Sequence, residues 1–142
     1  PGFVVEEEPA VIECAPTPKR ILIMDDNADI RKILQIYMEK LGFDVMGVKE
    51  GQEAIRSYKE AQEADEAFSA VFMEISVKQG LGGEATLTKL KSIDPDVKAI
   101  AILSEDGHSR IQNFLDRGFK DVLGKPFRLE DMKKILNSLL AS

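Results

Sequence analysis

Three stretches far apart in the chain constrain the fold more than anything else in it. They are Ile21-Leu22-Ile23-Met24 running into Asp25-Asp26, Val71-Phe72-Met73 running into Glu74, and Gly124-Lys125-Pro126-Phe127 near the end. The first two are continuous apolar runs, which suit strands buried on both faces, the environment of a parallel sheet. If the three are parallel strands of one sheet, Asp25, Asp26, Glu74 and Lys125 meet at the same edge, where open α/β folds bind their ligands. Carboxylates and a lysine gathered there predict a cation or phosphoryl site.

The rest of the chain supplies the alternation such a sheet needs. After Arg20 to Met24, the residues Ile30, Ile33, Leu34, Tyr37, Met38 and Leu41 recur at helical spacing, with Asn27 or Asp26 as cap and Gly42 as stop. Phe43 to Val48 reads as a second strand, Gln52 to Ala64 as a helix, and Ser69 to Met73 as a third strand ending at Glu74. Gly80, Gly82 and Gly83 read as turn residues, because neither phosphate-binding glycine pattern surrounds them. A helix from Glu84 to Ile93 closes at Asp94-Pro95, Val97 to Leu103 is a fourth strand, and Ser109 to Arg117 a fourth helix. Asp121 to Leu123 is a short fifth strand, and Leu129, Met132, Ile135, Leu136, Leu139 and Leu140 mark the last helix. Five strand–helix units predict an α/β fold: a flavodoxin-like, doubly wound, five-stranded parallel sheet of order 2-1-3-4-5 with five helices, its crossovers right-handed.

Length and charge narrow the function. A chain of 142 residues corresponds to one domain, and 44% hydrophobic with 31% charged residues is ordinary for a globular one. The net charge of −6 argues against a phosphate-backbone binder, so no nucleic acid is expected, and no apolar run is long enough to contact a membrane by spanning it. Cys14 stands alone, which fits a reducing, cytoplasmic setting. Residues 1–18 hold Pro1, Pro9, Pro16, Pro18 and the run Glu6-Glu7-Glu8, and read as a linker before a domain over 19–142. The alternative there is an extra edge strand from Phe3-Val4-Val5 or Val11-Ile12. The opening on Pro1, with no signal peptide, leads us to expect a piece of a longer protein.

From about Lys19 to Leu140 the chain resembles the receiver domains of two-component signalling, in particular the C-terminal receiver of hybrid sensor histidine kinases. The acidic pair, the third-strand carboxylate, the segment Asp94-Pro95-Asp96-Val97-Lys98-Ala99-Ile100, and Gly118-Phe119 followed by Lys125-Pro126-Phe127-Arg128-Leu129 carry the likeness, in the family's order and spacing. The resemblance implies a strand-3 aspartate that takes a phosphoryl group from a kinase histidine. It makes Asp25, Asp26 and the backbone carbonyl of Ser76 the Mg²⁺ ligands and Lys125 the phosphoryl contact, and it makes a histidine kinase core or another signalling protein the partner. Hard oxygen ligands suit Mg²⁺, and the Lys125-Pro126 bond is a candidate for the cis form.

This chain departs from that pattern. Glu74 replaces the acceptor aspartate, which carries the carboxylate outward by roughly one C–C bond, about 1.5 Å. A misplacement of about 1 Å can cost on the order of a hundredfold, so no useful phosphorylation is expected; Mg²⁺ is the cofactor to expect, either retained with weakened binding or lost. Leu103 falls where receivers carry a Thr or Ser hydroxyl, with Ser104 beside it as the alternative, and Val122 falls where many place a switching aromatic. Lys78 replaces a proline usual in the loop after strand 3. With Asp25, Asp26 and Glu74 crowded together, at least one carboxyl pKa should rise, making metal binding pH-dependent.

The expected role is therefore an atypical, or pseudo-, receiver of a histidine kinase phosphorelay that regulates through protein contacts without being an enzyme. The alternative is a constitutive mimic held on-like by Glu74, against which stands the single charge of a glutamate where a phosphoryl group carries about −1.5 to −2. An engineered Asp→Glu change would read the same way. Plainer readings keep Asp25-Asp26 as a helix cap, Glu74 with Lys125 or Lys78 as an ion pair without metal, and His108 as surface. A small Mg²⁺-dependent phosphatase with Asp25 as nucleophile lacks a cap domain and a DxD arrangement. A homodimer through the fourth helix, fifth strand and fifth helix would draw on Arg110, Arg117, Lys120 and Asp121.

Overall fold

The computed structural model describes residues 19–75, 80–103 and 111–140. The expected linker, its edge-strand alternatives and Ser76, Lys78, Ser104, His108 and Arg110 lie outside the described residues. Strands β1 (Arg20–Met24), β2 (Asp44–Val48), β3 (Ala70–Glu74), β4 (Ala99–Leu103) and β5 (Asp121–Gly124) alternate with helices α1 (Ala28–Lys40), α2 (Gly51–Glu63), α3 (Gly83–Ile93), α4 (Ile111–Asp116) and α5 (Leu129–Leu140). All strand pairs are parallel and the order is β2-β1-β3-β4-β5, as the sequence pattern predicts.

Burial follows strand position. Every residue of β3 and β4 is buried, and so is β1 from Ile21 onward, whereas β2 at the edge exposes Asp44, Met46 and Gly47. Side chains of a strand alternate between faces, so each central strand feeds two cores. Ile21, Ile23, Phe72, Ile100 and Ile102 meet Leu34 and Met38 of α1 and Met132 and Leu136 of α5. Leu22, Met24, Val71, Met73 and Ala101 meet Tyr58 of α2, Leu87 of α3 and Phe114 of α4. Both faces are thereby removed from water, at roughly 1.5–3 kcal/mol for each large apolar side chain fully buried.

The local chemistry of the ends agrees with this. Asn27 caps α1 through its side-chain oxygen, which accepts from the amides of Asp29 (2.9 Å) and Ile30 (3.2 Å). Gly42 follows the helix at φ +97°, a conformation that only glycine adopts cheaply. Lys19 and Lys98 extend their ammonium groups to the Leu140 and Leu139 carbonyls at the end of α5, at 3.4 and 3.0 Å.

Some boundaries move. β4 begins at Ala99 and not at Val97, because the Val97 amide closes a turn onto the Asp94 carbonyl at 3.1 Å. β2 begins one residue later than expected, at Asp44, and β3 at Ala70, while β5 runs on to Gly124. α2 starts at Gly51 and α3 at Gly83, each one residue early. Ile33 falls outside the buried stripe at 40% exposure, since the helix turns Ile30, Leu34, Tyr37 and Met38 toward the sheet; Tyr37 itself is half-buried against the Phe127 ring. Tyr58, fully inside, donates to Asp94 Oδ2 at 2.6 Å, and burial together with that carboxylate pushes its phenol pKa far up.

Leu34 is wholly buried and Ile36, two positions on, is 42% exposed. Urea denaturation is expected to show Leu34→Ala losing about 2–5 kcal/mol and Ile36→Ala changing stability by no more than about 0.5 kcal/mol. Equal losses would mean that α1 packs by a different face.

Candidate functional site

The strand ends come level because the register fixes them. Met24 pairs with Met73, Glu74 with Ile102, and Leu103 with Gly124, so Asp25, Glu74 and Lys125 are the residues at which β1, β3 and β5 reach the same edge. The chain leaves β1 toward β2 on one side and returns to β3 on the other, which opens a crevice between β1 and β3.

Asp25 is pinned on every side but one. Its amide donates to the Val48 carbonyl at 3.1 Å, its carbonyl accepts from Arg31 Nη1 at 2.8 Å, and its Oδ1 accepts from the Asn27 amide at 2.9 Å. Arg31 reaches that carbonyl by lying across Gly47: a Cβ there would stand 3.1 Å from the arginine stem. Oδ2 is left buried with no hydrogen-bond partner. The residue is 1% exposed, and burial raises its carboxyl pKa against the lowering effects of the Asn27 amide and Lys125, with Glu74 and Asp26 adding to the rise.

Glu74, 5% exposed, answers this with its own partner. Lys125 Nζ donates to Glu74 Oε1 at 2.5 Å and lies 3.8 Å from Asp25 Oδ2, so one ammonium faces both carboxylates. The Lys125-Pro126 bond is cis, as expected. The Lys125 amide donates to the Leu103 carbonyl at 2.8 Å, which ties the start of this turn to β4.

Of the remaining candidates, Asp26 is exposed at the turn after Asp25. Leu103 is 3% exposed and belongs to the core below α3 and α4, and Val122, half-buried, packs against the same core. Arg117, at the end of α4, forms an ion pair with Glu84 in the first turn of α3.

The donor chemistry of the edge suits a hard cation, and the buried Oδ2 of Asp25, which no donor reaches within hydrogen-bond distance, is the observation that says so. Among the described residues, however, no three His, Cys, Asp or Glu side chains are gathered closely enough to hold a metal ion as they stand. The Lys125 ammonium takes the position between Asp25 and Glu74 instead. The sequence could not give the Arg31 contact, since its acceptor is a backbone carbonyl, nor the role of Glu50, whose side chain crosses to the loop after β3.

Comparison with known proteins shows the family. The chain is 30% identical over 122 residues to the chemotaxis protein CheY of Thermotoga maritima, covering 85% of this chain and 97% of that protein. It is 24% identical to hybrid signal transduction histidine kinase I of Dictyostelium discoideum over 85% of its own length but only 7% of the kinase. Among solved structures, the receiver domain of the sensor histidine kinase PA1611 from Pseudomonas aeruginosa, with a magnesium ion coordinated in its active site cleft, superimposes with a TM-score of 0.76 at 23% identity, over 89% of this chain and 100% of that one. The sequence model of the response regulator receiver domain matches residues 21–137, and the chain belongs to that family.

Proposed function

We propose that this receiver domain does not take a phosphoryl group at the usual position and acts through protein contacts within a histidine kinase phosphorelay, with a kinase core or another signalling protein as partner. The observation that carries this reading is the Glu74–Lys125 contact of 2.5 Å. A carboxylate that attacks a phosphoryl group must be free to approach phosphorus, and the lysine must be free to neutralise the charge that develops on the phosphoryl oxygens. Here the two are spent on each other. Leu103 supports the same reading, because the position expected to follow a new phosphoryl oxygen with a hydroxyl holds an apolar side chain packed in the core.

Asp25 and Asp26 are the residues that would hold Mg²⁺, and the ion would neutralise phosphoryl charge beside them. The chain's own contribution is to fix Asp25 by its amide, carbonyl and Oδ1, leaving Oδ2 without a hydrogen bond and facing Lys125 at 3.8 Å. A cation there competes with the proton that burial favours on Asp25. A second reading keeps the same contact but makes it the signal: Glu74 engages Lys125 as a phosphoryl group would, holding the domain on-like. The 1% exposure of Asp25 weighs against a phosphatase that uses it as nucleophile.

Two outcomes test this. After incubation with Mg²⁺ and acetyl phosphate, intact mass is expected to show a phosphoryl adduct on Glu74→Asp and none on the wild-type protein. An adduct on the wild type would end the proposal, and a partner-binding assay in which Glu74→Gln mimics loss of signal would favour the second reading.

The other concerns pH. The Asp25 pKa is raised in the folded state, so the folded protein holds more protons than the unfolded chain across the carboxylate range. That contribution to stability is present below the unfolded value, near pH 4, and is lost as pH rises through the folded value. Thermal melts at neutral pH are expected to place Asp25→Asn above wild type, with the gap closing in acid. A gap that did not depend on pH would show that the charge of Asp25 is not what destabilises the native state.

A further inference from the structure

Glu50 occupies the cap position of α2, although glutamate is not among the residues helices usually select there. Short side chains reach back to the first amides more easily. Here the cap is made, with Glu50 Oε1 accepting from the Gln52 amide at 2.8 Å and Oε2 from the Glu53 amide at 3.3 Å. The extra methylene gives a third contact that a shorter residue cannot: Oε1 also accepts from the Leu81 amide at 3.1 Å, from the far end of the loop after β3.

The two segments are fitted around that contact. The Gly51 amide returns a bond to the Leu81 carbonyl at 2.8 Å, so Glu50-Gly51 and Leu81 are joined twice. A Cβ at Gly80 would stand 2.6 Å from Glu50 Oε1, and one at Gly51 would stand 1.9 Å from Thr86 Oγ1. Thr86 Oγ1 in turn donates to the Gly82 carbonyl at 2.7 Å. Beyond Gly82, a Cβ at Gly83 would stand 3.1 Å from the Glu74 carbonyl oxygen. The returning arm of the loop therefore starts against the Glu50 carboxylate and at Gly83 packs closely against Glu74 and Ile75 at the end of β3.

We infer that Glu50 is a positioning residue for the edge site: its carboxylate clasps Leu81 and so seats Gly82 and Gly83 against the end of β3, whose register the sheet sets, tuning how Glu74 meets Lys125. The inference rests on the receiver reading only for what Glu74 does. The amides of Gln52, Leu81 and Glu53 hold the Glu50 carboxyl below its usual range, Gln52 most of all, so the clasp is charged at neutral pH.

Glu50→Asp separates clasp from cap, because aspartate is a preferred cap but is too short to reach Leu81. Amide exchange and the Glu74 side-chain carboxyl ¹³C resonance are measured by NMR on the wild type, Glu50→Asp and Glu50→Gln. In Glu50→Asp we expect Gln52 and Glu53 to keep their protection, Leu81 to exchange at least tenfold faster, and the Glu74 resonance to move. Glu50→Gln, which keeps the length and one acceptor oxygen, is expected to restore part of the Leu81 protection. A residue that only caps α2 would leave Leu81 and Glu74 unchanged in Glu50→Asp, and that result overturns the inference. In the Glu74→Asp background, Glu50→Asp should also slow phosphoryl gain from acetyl phosphate at least threefold. If Glu74→Asp gains no phosphoryl group at all, the receiver chemistry proposed above fails, while Leu81 and the Glu74 resonance still decide the clasp.

Discussion

The constraint on which everything else depends is the burial of β1, β3 and β4 on both faces. A strand with apolar side chains on each side admits a charge only where it runs out, so the charged residues of these runs are pushed to the rim. Parallel pairing then makes all the ends that carry them coincide, because each crossover helix returns the chain to the same starting edge. The meeting of Asp25, Glu74 and Lys125 is thus a consequence of hydrophobic patterning and register, and no attraction between the charges is needed to assemble it. Their attraction matters only afterward, in deciding which of them face each other.

That decision has two sides. Lys125 compensates Glu74 closely and Asp25 at longer range, and neither contact returns to Asp25 what burial takes from it. A native state carrying an under-compensated carboxylate is less stable than it would be without one, a pattern common at sites kept for chemistry or binding. The stacking of Tyr58 on Phe68, with the Tyr58 hydroxyl satisfied by Asp94, shows the opposite treatment of a buried polar group.

Sequence reading recovered what is periodic or terminal. The strand order, the Asn27 cap, the Gly42 stop, the cis Lys125-Pro126 bond and the shared edge of Asp25, Glu74 and Lys125 could each be read from spacing, residue type or family resemblance. Ile33 was misassigned because a helical stripe is wider in a periodic count than the surface a sheet covers. Glu50 escaped because its decisive partner is a backbone amide, which has no signature in the residue that carries it. The same holds for Arg31, whose acceptor is the Asp25 carbonyl.

Arg31 and Gly47 also bear on how such a chain can vary. The arginine stem passes 3.1 Å from where a Cβ at position 47 would stand, and Lys91 lies over Gly118, its Nζ 1.8 Å from where a Cβ would be, at a φ of +113° that itself favours glycine. Each glycine is a berth sized for one long cationic side chain from a neighbouring helix. Changes at the two members of a pair are then coupled: a larger residue in the berth evicts its occupant, and a shorter occupant leaves room that a larger residue can fill. Such pairs should drift together through sequence space, Arg31 and Gly47 beside the site and Lys91 and Gly118 before the start of β5.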